Sequence, residues 1–351
     1  MINKENYKCR VCDSANVKIF KLKHFVFNTK NNNWKSFFCS DCGAISDFNI
    51  LNKKTDYKKG DYRKHDPLIK NLNKEFENVF PPISSWSSIT FARWRAIWKL
   101  LQKKTNLFKK EIKMLDYGGY NGFLPYALKQ KHKIISWVAD FDPKGLKFAK
   151  LLGSKIINLS KNNFLKKNFF NLVSVVHVLE HMDNPGEQLR KINKCLKSNG
   201  IIYIEVPNLY CFPLGDTAHL IAFTHYSLYM LVKKSGFKIL NYGFGQTPKE
   251  SIAFNYYYNN KKENIYIIAI KTEKKINEMR IPDKIIPSNI QILKYKIQSS
   301  YANIMLFEIS LTLLKQILKY CKTFILFFFY GLIEFFSLKI FKNSLINKYK
   351  N

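Results

Sequence analysis

Arginine and acidic residues are both scarce in this sequence. Basic residues number 58 against 25 acidic ones, and only six of the basic residues are arginine, so lysine carries most of the net charge of +33. A basic surface attracts phosphate groups, but arginine is the side chain that makes bidentate contacts with phosphate and guanine. The composition therefore favours a solvated basic surface over specific nucleic-acid binding.

An apolar leader is also lacking. The first ten residues, MINKENYKCR, are polar and contain no apolar run of the kind that a secretory signal needs. We therefore expect a cytoplasmic protein in a reducing compartment, where disulfides are rare and cysteines are available to metal ions. With 351 residues and 46% hydrophobic content, the chain can form a packed core.

Four of the seven cysteines form two C-x2-C pairs with 26 residues between them, Cys9 with Cys12 and Cys39 with Cys42. Two such pairs can supply four thiolates to one tetrahedral zinc ion, and the strand-forming segment WKSFF lies between them, as in a zinc ribbon. Four protein ligands leave no position for a substrate water, so this zinc would be structural. Free thiols or disulfides are the alternative interpretation.

Short apolar segments alternate with amphipathic ones from about residue 110 onward. Alternation of this kind indicates an α/β domain whose parallel sheet is covered by helices on both faces. The predicted strands are 113–118, 134–142, 155–159, 170–179, 200–208, 237–245 and 264–271. The predicted helices between them are 122–131, 143–152, 184–197 and 226–236.

A glycine-rich turn follows the first of these strands. The stretch MLDYGGYNG contains Asp116, Gly118, Gly119 and Gly122 and leads into an amphipathic helix. Backbone N–H groups at such a turn, together with the helix dipole, favour a bound phosphate or carboxylate. The turn alone is a weak signal, because a tight turn that binds nothing has the same glycines.

An acidic residue at the end of the second strand strengthens this signal. Asp142 stands twenty residues after Gly122, where a carboxylate can accept hydrogen bonds from both ribose hydroxyls of a nucleotide. Asp140, two residues earlier, is the second candidate for this role.

Four motifs in this order resemble the class I S-adenosylmethionine-dependent methyltransferases over about residues 110–272. They are the segment from Asp116 to Gly122, the pair Asp142–Pro143, the run FNLVSVVHVLEHMDNP at 170–185, and LKSNGIIYIEVPN at 196–208. The resemblance implies a Rossmann-like fold with a seven-stranded sheet and S-adenosylmethionine as the methyl donor.

The resemblance also implies cofactor contacts at eight positions, which are Asp116, Gly118, Gly119, Tyr120, Gly122, Asp142, Asn158 and His177. Asp116 and Gly118 would contact the methionine part, and the other two glycines would allow its close approach. Asp142 would bind the ribose and Asn158 the adenine, whereas His177 would lie near the sulfonium.

Tyr120 departs from the usual pattern, because the family has glycine at this position. The same departure occurs in a subgroup with an N-terminal zinc-binding region, which includes sugar C-methyltransferases. We expect Tyr120 to avoid positive φ and to turn its ring out of the path of the cofactor, so that it forms a wall of the pocket.

A general base is needed to remove a proton from the acceptor, and histidine titrates in the required range. His181, directly after the fourth strand, and His219, after the fifth, are the candidates. Either could instead have a structural role. The sugar C-methyltransferases carry a Glu-His pair where this chain has Ala218 before His219, which favours O- or N-methylation over C-methylation.

The C-terminal region combines a basic amphipathic helix at 303–322 with the apolar run 323–341, which Glu334 and Lys339 interrupt. The two charges disfavour a spanning helix. Association of residues 303–342 with the inner face of the membrane, packing on the catalytic domain, and packing on a second copy in a homodimer all remain open.

These features divide the chain into four predicted regions. They are a zinc ribbon at 1–50, a connector and helical lid at 51–109 with helices at 67–80 and 88–104, the methyltransferase domain at 110–272, and a helical tail at 273–351. The leading functional hypothesis is methylation of a small molecule or glycan, such as a surface-polysaccharide precursor. The alternatives are an RNA methyltransferase that uses the ribbon and lysines to bind RNA, and a non-enzymatic binding module.

Overall fold

The computed structural model of the chain describes residues 7–22, 34–47, 96–109, 111–129, 132–161, 165–209, 219–245, 264–274 and 278–283. The chain divides into two compact units, Met1–Ser299 and Ser300–Asn351, and every described residue lies in the first. The predicted helix at 67–80 and the predicted tail at 303–342 lie outside the described residues. Of the predicted helix at 88–104, residues 96–104 are described and are helical.

The described strands and helices match the predicted alternation. The strands are β1 (Val17–Leu22), β2 (Trp34–Cys39), β3 (Ile45–Asp47), β4 (Ile112–Tyr117), β5 (Ile134–Asp140), β6 (Lys155–Asn158), β7 (Phe170–Val176), β8 (Leu196–Pro207), β9 (Ile221–Ala222), β10 (Lys238–Phe244) and β11 (Asn264–Ile270). The α-helices with both ends described are α1 (Phe123–Lys129), α2 (Pro143–Leu151), α3 (Pro185–Cys195) and α4 (His225–Lys234). Short 3-10 turns occupy Leu107–Lys109 and Leu179–His181.

Seven strands form one sheet in the order β10-β11-β8-β7-β4-β5-β6. Only β11 runs against the others, since it is antiparallel to both β8 and β10 while the remaining pairs are parallel. From β4 the chain moves outward to β5 and β6 and then returns to β7 on the other side of β4. A ligand crevice is therefore expected at the carboxyl ends of β4 and β7, where the direction of winding changes.

Helices cover both faces of this sheet. Leu124 and Leu128 of α1 pack with Met114 of β4 and with residues of the 96–104 helix on one face. Leu189 of α3 and Leu228 of α4 belong to the larger apolar cluster on the other face. Both faces of the central strands are thus buried, which explains why the sequences of these strands are continuous apolar runs.

Two of the predicted strands end earlier than the sequence indicated. The second strand stops at Asp140 rather than at 142, because the side chain of Asp142 caps α2. The fourth stops at Val176 rather than at 179, because His177 adopts φ +54° and a 3-10 turn follows.

A second sheet joins the N-terminal module to the larger domain. Its strand order is β1-β2-β3-β9, and β3 pairs antiparallel with β9 through Ile45 with Ala222 and Ser46 with Ile221. The N-terminal sheet therefore takes its fourth strand from a segment that follows β8 in the chain. Within the described part of the chain, no helix has the length and apolarity needed to cross a membrane.

Candidate active site

The four cysteines of the two C-x2-C pairs lie together. The Sγ atoms of Cys9 and Cys42 are 3.6 Å apart, those of Cys12 and Cys39 are 3.5 Å apart, and all four lie within 4.8 Å of one another. Three of the four side chains are buried, and Cys12 is partly buried. Hydrogen bonding by Cys12 and the two other thiols lowers the pKa of Cys39, so a thiolate is favoured at that position.

Tight turns shape this cysteine cluster. The N–H group of Asp13 donates to the carbonyl of Cys9, and that of Gly43 donates to the carbonyl of Cys39, each at 2.9 Å. Asp13 and Gly43 both have positive φ, at 63° and 75°. Each turn brings the two cysteines of its pair to the same side.

The cysteine cluster is tied to the larger domain by polar contacts as well as by β9. Arg10 Nη1 lies 2.9 Å from Asp183 Oδ1, two residues beyond His181. Thr224 Oγ1 donates to the carbonyl of Cys42 at 3.5 Å, and Lys234 Nζ donates to the carbonyl of Cys12. The N-terminal module thus contacts both segments that carry the predicted histidine bases.

Asp116 is the penultimate residue of β4 and lies beneath the glycine turn. Its carboxylate is buried and accepts a hydrogen bond from Ser174 Oγ at 2.6 Å, and burial raises its pKa to about 7. A Cβ atom at Gly119 would lie 2.3 Å from Asp116 Oδ2, so a side chain there would displace the carboxylate. Gly118 has φ +72°, and a Cβ there would overlap Val178.

The prediction for the backbone of Tyr120 is wrong. Its φ is +47°, in the left-handed region that we expected it to avoid. Its N–H group donates to Asp140 Oδ2 at 2.9 Å, and this bond helps to hold the strained residue. The ring is buried against Gly145 in the first turn of α2, where a Cβ atom would lie 2.3 Å from Tyr120 Cδ2.

The two acids at the end of β5 have different contacts. Asp140 accepts from the N–H groups of Tyr120 and Asp142, and thereby fixes the glycine turn to the next strand. Asp142 Oδ1 accepts from the N–H groups of Lys144 and Gly145 and is the N-cap of α2. Both carboxylates lie at the carboxyl edge of the sheet, beside β4.

Asn158 ends β6 and pairs in register with Asp140. Its Oδ1 atom accepts from the N–H group of Ser160 at 2.9 Å, which closes a local turn. The predicted adenine ligand therefore lies at the same sheet edge as the acids.

His177 follows β7 and lies between two buried glutamates. Its Nδ1 atom is 3.3 Å from Glu180 Oε1, and its Nε2 atom is 3.8 Å from Glu205 Oε1. Its backbone N–H group donates to the carbonyl of Glu205 at 2.9 Å, which fixes the positive φ of this residue. The carboxyl ends of β7 and β8 are thus joined next to the glycine turn.

Glu180 is the site residue that the sequence analysis missed. It is 1% exposed, and neither carboxylate oxygen accepts a hydrogen bond among the described residues. Burial raises the pKa of Glu180, but contact with His177 and the charges of His181 and His219 prevail and lower it. The motif HVLEH contains the signal, because a 3-10 turn places the glutamate beside both of its histidines.

The predicted bases His181 and His219 are brought together. Their ring centroids are 4.8 Å apart, and His181 Nε2 is 3.9 Å from Glu180 Oε1. The N–H group of Leu220 donates to the carbonyl of Glu180 at 2.6 Å and holds the His219 segment against the turn. Position 218 is not acidic, but Glu180, an acid from a different segment, lies within 4.8 Å of a ring nitrogen of His219. We call these three residues the Glu–His cluster.

Residues 89–242 match the family model of a methyltransferase domain. This span is less than half of the chain and contains the whole of the strand-end region described above. No curated protein matches the sequence.

Several solved structures are similar in fold. The cyclase SpnF shares 14% identity over 54% of this chain and 83% of its own, with a TM-score of 0.43. An S-adenosylmethionine-dependent methyltransferase from Mesorhizobium loti shares 14% identity over 50% and 97%, with a TM-score of 0.41. The 1,6-didemethyltoxoflavin-N1-methyltransferase of Burkholderia thailandensis, with bound S-adenosylhomocysteine, shares 18% over 59% and 88%, with a TM-score of 0.40. At these identities the similarities do not identify an acceptor.

Proposed function

We propose that this chain is an S-adenosylmethionine-dependent methyltransferase that methylates an oxygen or nitrogen atom of a small-molecule or glycan acceptor, in keeping with the methyltransferase domain model that matches residues 89–242. The observation that carries the proposal is the arrangement at the carboxyl ends of β4, β5 and β7. There a glycine turn, two carboxylates and a histidine pair meet in one region. The glycan part rests on the resemblance to the sugar methyltransferase subgroup.

The proposed cofactor site lies along the glycine turn. Gly118 and Gly119 leave room for the methionine part beside Asp116, since a Cβ at either position would overlap a neighbouring side chain. Asp142 is the proposed ribose ligand and Asp140 the alternative. Asn158 at the neighbouring strand end is the proposed adenine contact, and His177 lies on the side of the turn proposed for the sulfonium.

Methyl transfer needs little chemical activation, because a sulfonium is already a good leaving group. The enzyme must align the acceptor with the methyl carbon and remove a proton. His181 and His219 are the proposed bases, and Glu180 beside them stabilises a protonated imidazole.

Calorimetric titration with S-adenosylmethionine tests the cofactor site. We expect the wild type to bind and Asp142→Asn to bind at least about tenfold more weakly, which corresponds to about 1.4 kcal/mol. Asparagine is a good N-cap residue, so α2 should stay intact and the melting temperature nearly unchanged. Asp140→Asn is the parallel variant for the alternative ligand.

If the wild type gives no binding heat with S-adenosylmethionine, the proposed activity is wrong. Equal affinities for wild type and Asp142→Asn would remove the ribose assignment and leave Asp140 in its place.

RNA is the second candidate acceptor, because the net charge of +33 would attract it. Binding to phosphates releases counterions, so the affinity for RNA would fall steeply as salt is raised. A flat salt dependence of acceptor binding favours the small-molecule or glycan assignment.

The proposal includes a structural zinc ion at the cysteine cluster. The Sγ separations of 3.5 and 3.6 Å are close to the edge of a tetrahedron with Zn–S bonds of about 2.3 Å, which is about 3.8 Å. Four thiolate ligands would fill the coordination of zinc and leave no open position. Metal analysis of protein purified without chelator should give about one zinc ion per chain.

A further inference from the structure

The Glu–His cluster has the composition of a metal site that is distinct from the cysteine cluster. We propose that Glu180, His181 and His219 bind a divalent cation that holds the oxygen of a hydroxyl acceptor. This inference rests on the proposed methyltransferase function and narrows the acceptor to a hydroxyl compound. It assigns the two histidines as ligands in place of the role of proton acceptors.

The donor atoms are close together and come from two segments of the chain. One oxygen of Glu180 and one ring nitrogen each of His181 and His219 lie within 4.8 Å of one another. His181 follows Glu180 directly in the 3-10 turn, whereas His219 is held there by the bond from the Leu220 N–H group to the carbonyl of Glu180. The backbone thus fixes all three ligands relative to one another.

Glu180 provides the independent observation that points to a cation. Its side chain is 1% exposed, and its two oxygens accept no hydrogen bond among the described residues. The ring nitrogens of His177 and His181 lie 3.3 and 3.9 Å from Oε1, so Oε2 is left without a partner in the described part of the chain. A buried carboxylate oxygen is costly unless a hydrogen-bond donor or a metal ion satisfies it. Its neighbours are imidazoles, which as neutral rings offer lone pairs to a cation and as charged rings would repel one another.

The ligand set indicates the kind of cation. Two imidazoles and one carboxylate suit zinc, iron, manganese or cobalt, and three protein ligands leave positions open for water or substrate oxygen. This differs from the cysteine cluster, whose four thiolates would complete a tetrahedron. His177 is not one of the three ligands. Its Nδ1 atom lies 3.3 Å from Glu180 Oε1, and this contact orients the carboxylate.

The cation would serve the transfer step by lowering the pKa of the acceptor hydroxyl. The proton would leave to water, and an electron pair of the resulting alkoxide would form the new C–O bond to the methyl carbon. The C–S bond breaks at the same time, and its electron pair returns to sulfur. The sulfonium becomes a neutral thioether, so charge and atoms balance with release of one proton.

Protein that carries a single equivalent of zinc, which the four thiolates of the cysteine cluster bind in preference to the Glu–His cluster, is titrated with Mn²⁺ and followed by the electron paramagnetic resonance signal of free Mn²⁺. We expect one bound Mn²⁺ per chain in addition to the zinc of the ribbon. His181→Gln, His219→Gln and Glu180→Gln should each weaken Mn²⁺ binding by at least about tenfold. Matched controls are His225→Gln, whose Nε2 atom lies 2.9 Å from the carbonyl of Gly243, and the exposed Glu187→Gln.

Thermal unfolding and titration with S-adenosylmethionine accompany each variant. Any one cluster variant that keeps its fold and its cofactor affinity suffices for the comparison with the controls. Wild-type protein that binds S-adenosylmethionine but no Mn²⁺ would overturn the metal site and leave the methyltransferase proposal standing. Mn²⁺ binding that is equal in the cluster variants and the controls would overturn it as well. Loss of S-adenosylmethionine binding by the wild type is a separate result, which counts against the proposed function.

Discussion

The strand-end site is the group of polar residues at the carboxyl ends of β4, β5, β6 and β7, together with the glycine turn and the Glu–His cluster. Like the cysteine cluster it consists of converging polar side chains, but the two sites are formed differently by the chain. The cysteine cluster comes from two short turns within one small module, and each turn carries both cysteines of its pair. The strand-end site takes its residues from the ends of separate strands and from the turn and loop that follow them. The first is therefore visible as a sequence spacing, and the second exists only after the sheet has formed.

The two regions are nevertheless physically joined. β3 of the N-terminal module pairs with β9, which begins two residues after His219, and Arg10 of the same module contacts Asp183, two residues after His181. The N-terminal module therefore supports both histidine segments of the strand-end site. A substitution in the cysteine cluster should therefore also perturb the strand-end site, whereas a substitution in the strand-end site should leave the cysteine cluster unchanged.

Cys39→Ser should produce the largest effect. Loss of one thiolate removes several kcal/mol of a metal-binding free energy that is about 10 kcal/mol or more in small zinc modules. Because β9 would then lose its partner strand, the amide hydrogens of Ile221 and Ala222 should exchange much faster, as measured by hydrogen exchange with mass spectrometry. Cys195→Ala, at an isolated buried cysteine outside the cluster, is the control. Unchanged exchange at residues 221 and 222 after zinc loss would show that the two regions are independent.

Asp116→Asn should change stability in a pH-dependent way. Burial raises the pKa of Asp116 to about 7 from 3.8, so the folded state binds more protons than the unfolded state between about pH 4 and 7. The wild type therefore loses stability as pH rises through this window, and the asparagine variant lacks this loss. The difference in unfolding free energy should grow by about 3–4 kcal/mol in favour of the variant between pH 4 and pH 8. A difference that is constant with pH in denaturant titrations would contradict the assignment.

Gly119→Ala should weaken the strand-end site and leave the cysteine cluster intact. Its Cβ would lie 2.3 Å from Asp116 Oδ2, and the carboxylate must move away from Ser174 to make room. We expect a destabilisation of about 1–3 kcal/mol, typical of overpacking, with weaker S-adenosylmethionine binding and unchanged zinc content. Gly153→Ala is a control with space for a Cβ, although its φ of +78° adds some strain. If Gly119→Ala binds S-adenosylmethionine as tightly as the wild type, the prediction is wrong and the turn accommodates an added methyl group.

The link between Arg10 and Asp183 should have the smallest effect. Asp183 is half exposed, so the pair is screened by solvent and should contribute no more than about 1 kcal/mol. A double-mutant cycle with Arg10→Ala and Asp183→Ala measures this coupling by denaturant unfolding. A coupling energy well above this range would mean that the side-chain link, and not only the β3 and β9 pairing, joins the two regions.

The sheet was largely predictable, because buried parallel strands appear in the sequence as apolar runs and glycine or proline marks the turns. The same patterns could not reveal the backbone of Tyr120. A positive φ is normally excluded for tyrosine, and here it is held by Asp140 and by the space over Gly145, which are tertiary contacts. Local patterns likewise suggested Asp142 for the ribose without showing that its side chain caps α2.

The proximity of Glu180 to His219 could not be predicted from the sequence for a related reason. The absence of an acid next to His219 was visible, but its replacement from another strand end depends on how β7 and β9 are placed. The cysteine positions were predicted because their spacing is local, and the structure brings the four thiols together as expected. The zinc ion itself stays a prediction.

The shared strand β9 also has a consequence for biosynthesis. The ribosome completes β3 at Asp47, but the strand that pairs with its open edge is not made until Ala222. At translation rates of about 5–20 residues per second, this delay is roughly ten to thirty seconds. During that interval the sheet of β1, β2 and β3 has an unpaired edge, and such an edge is a template for pairing with another chain.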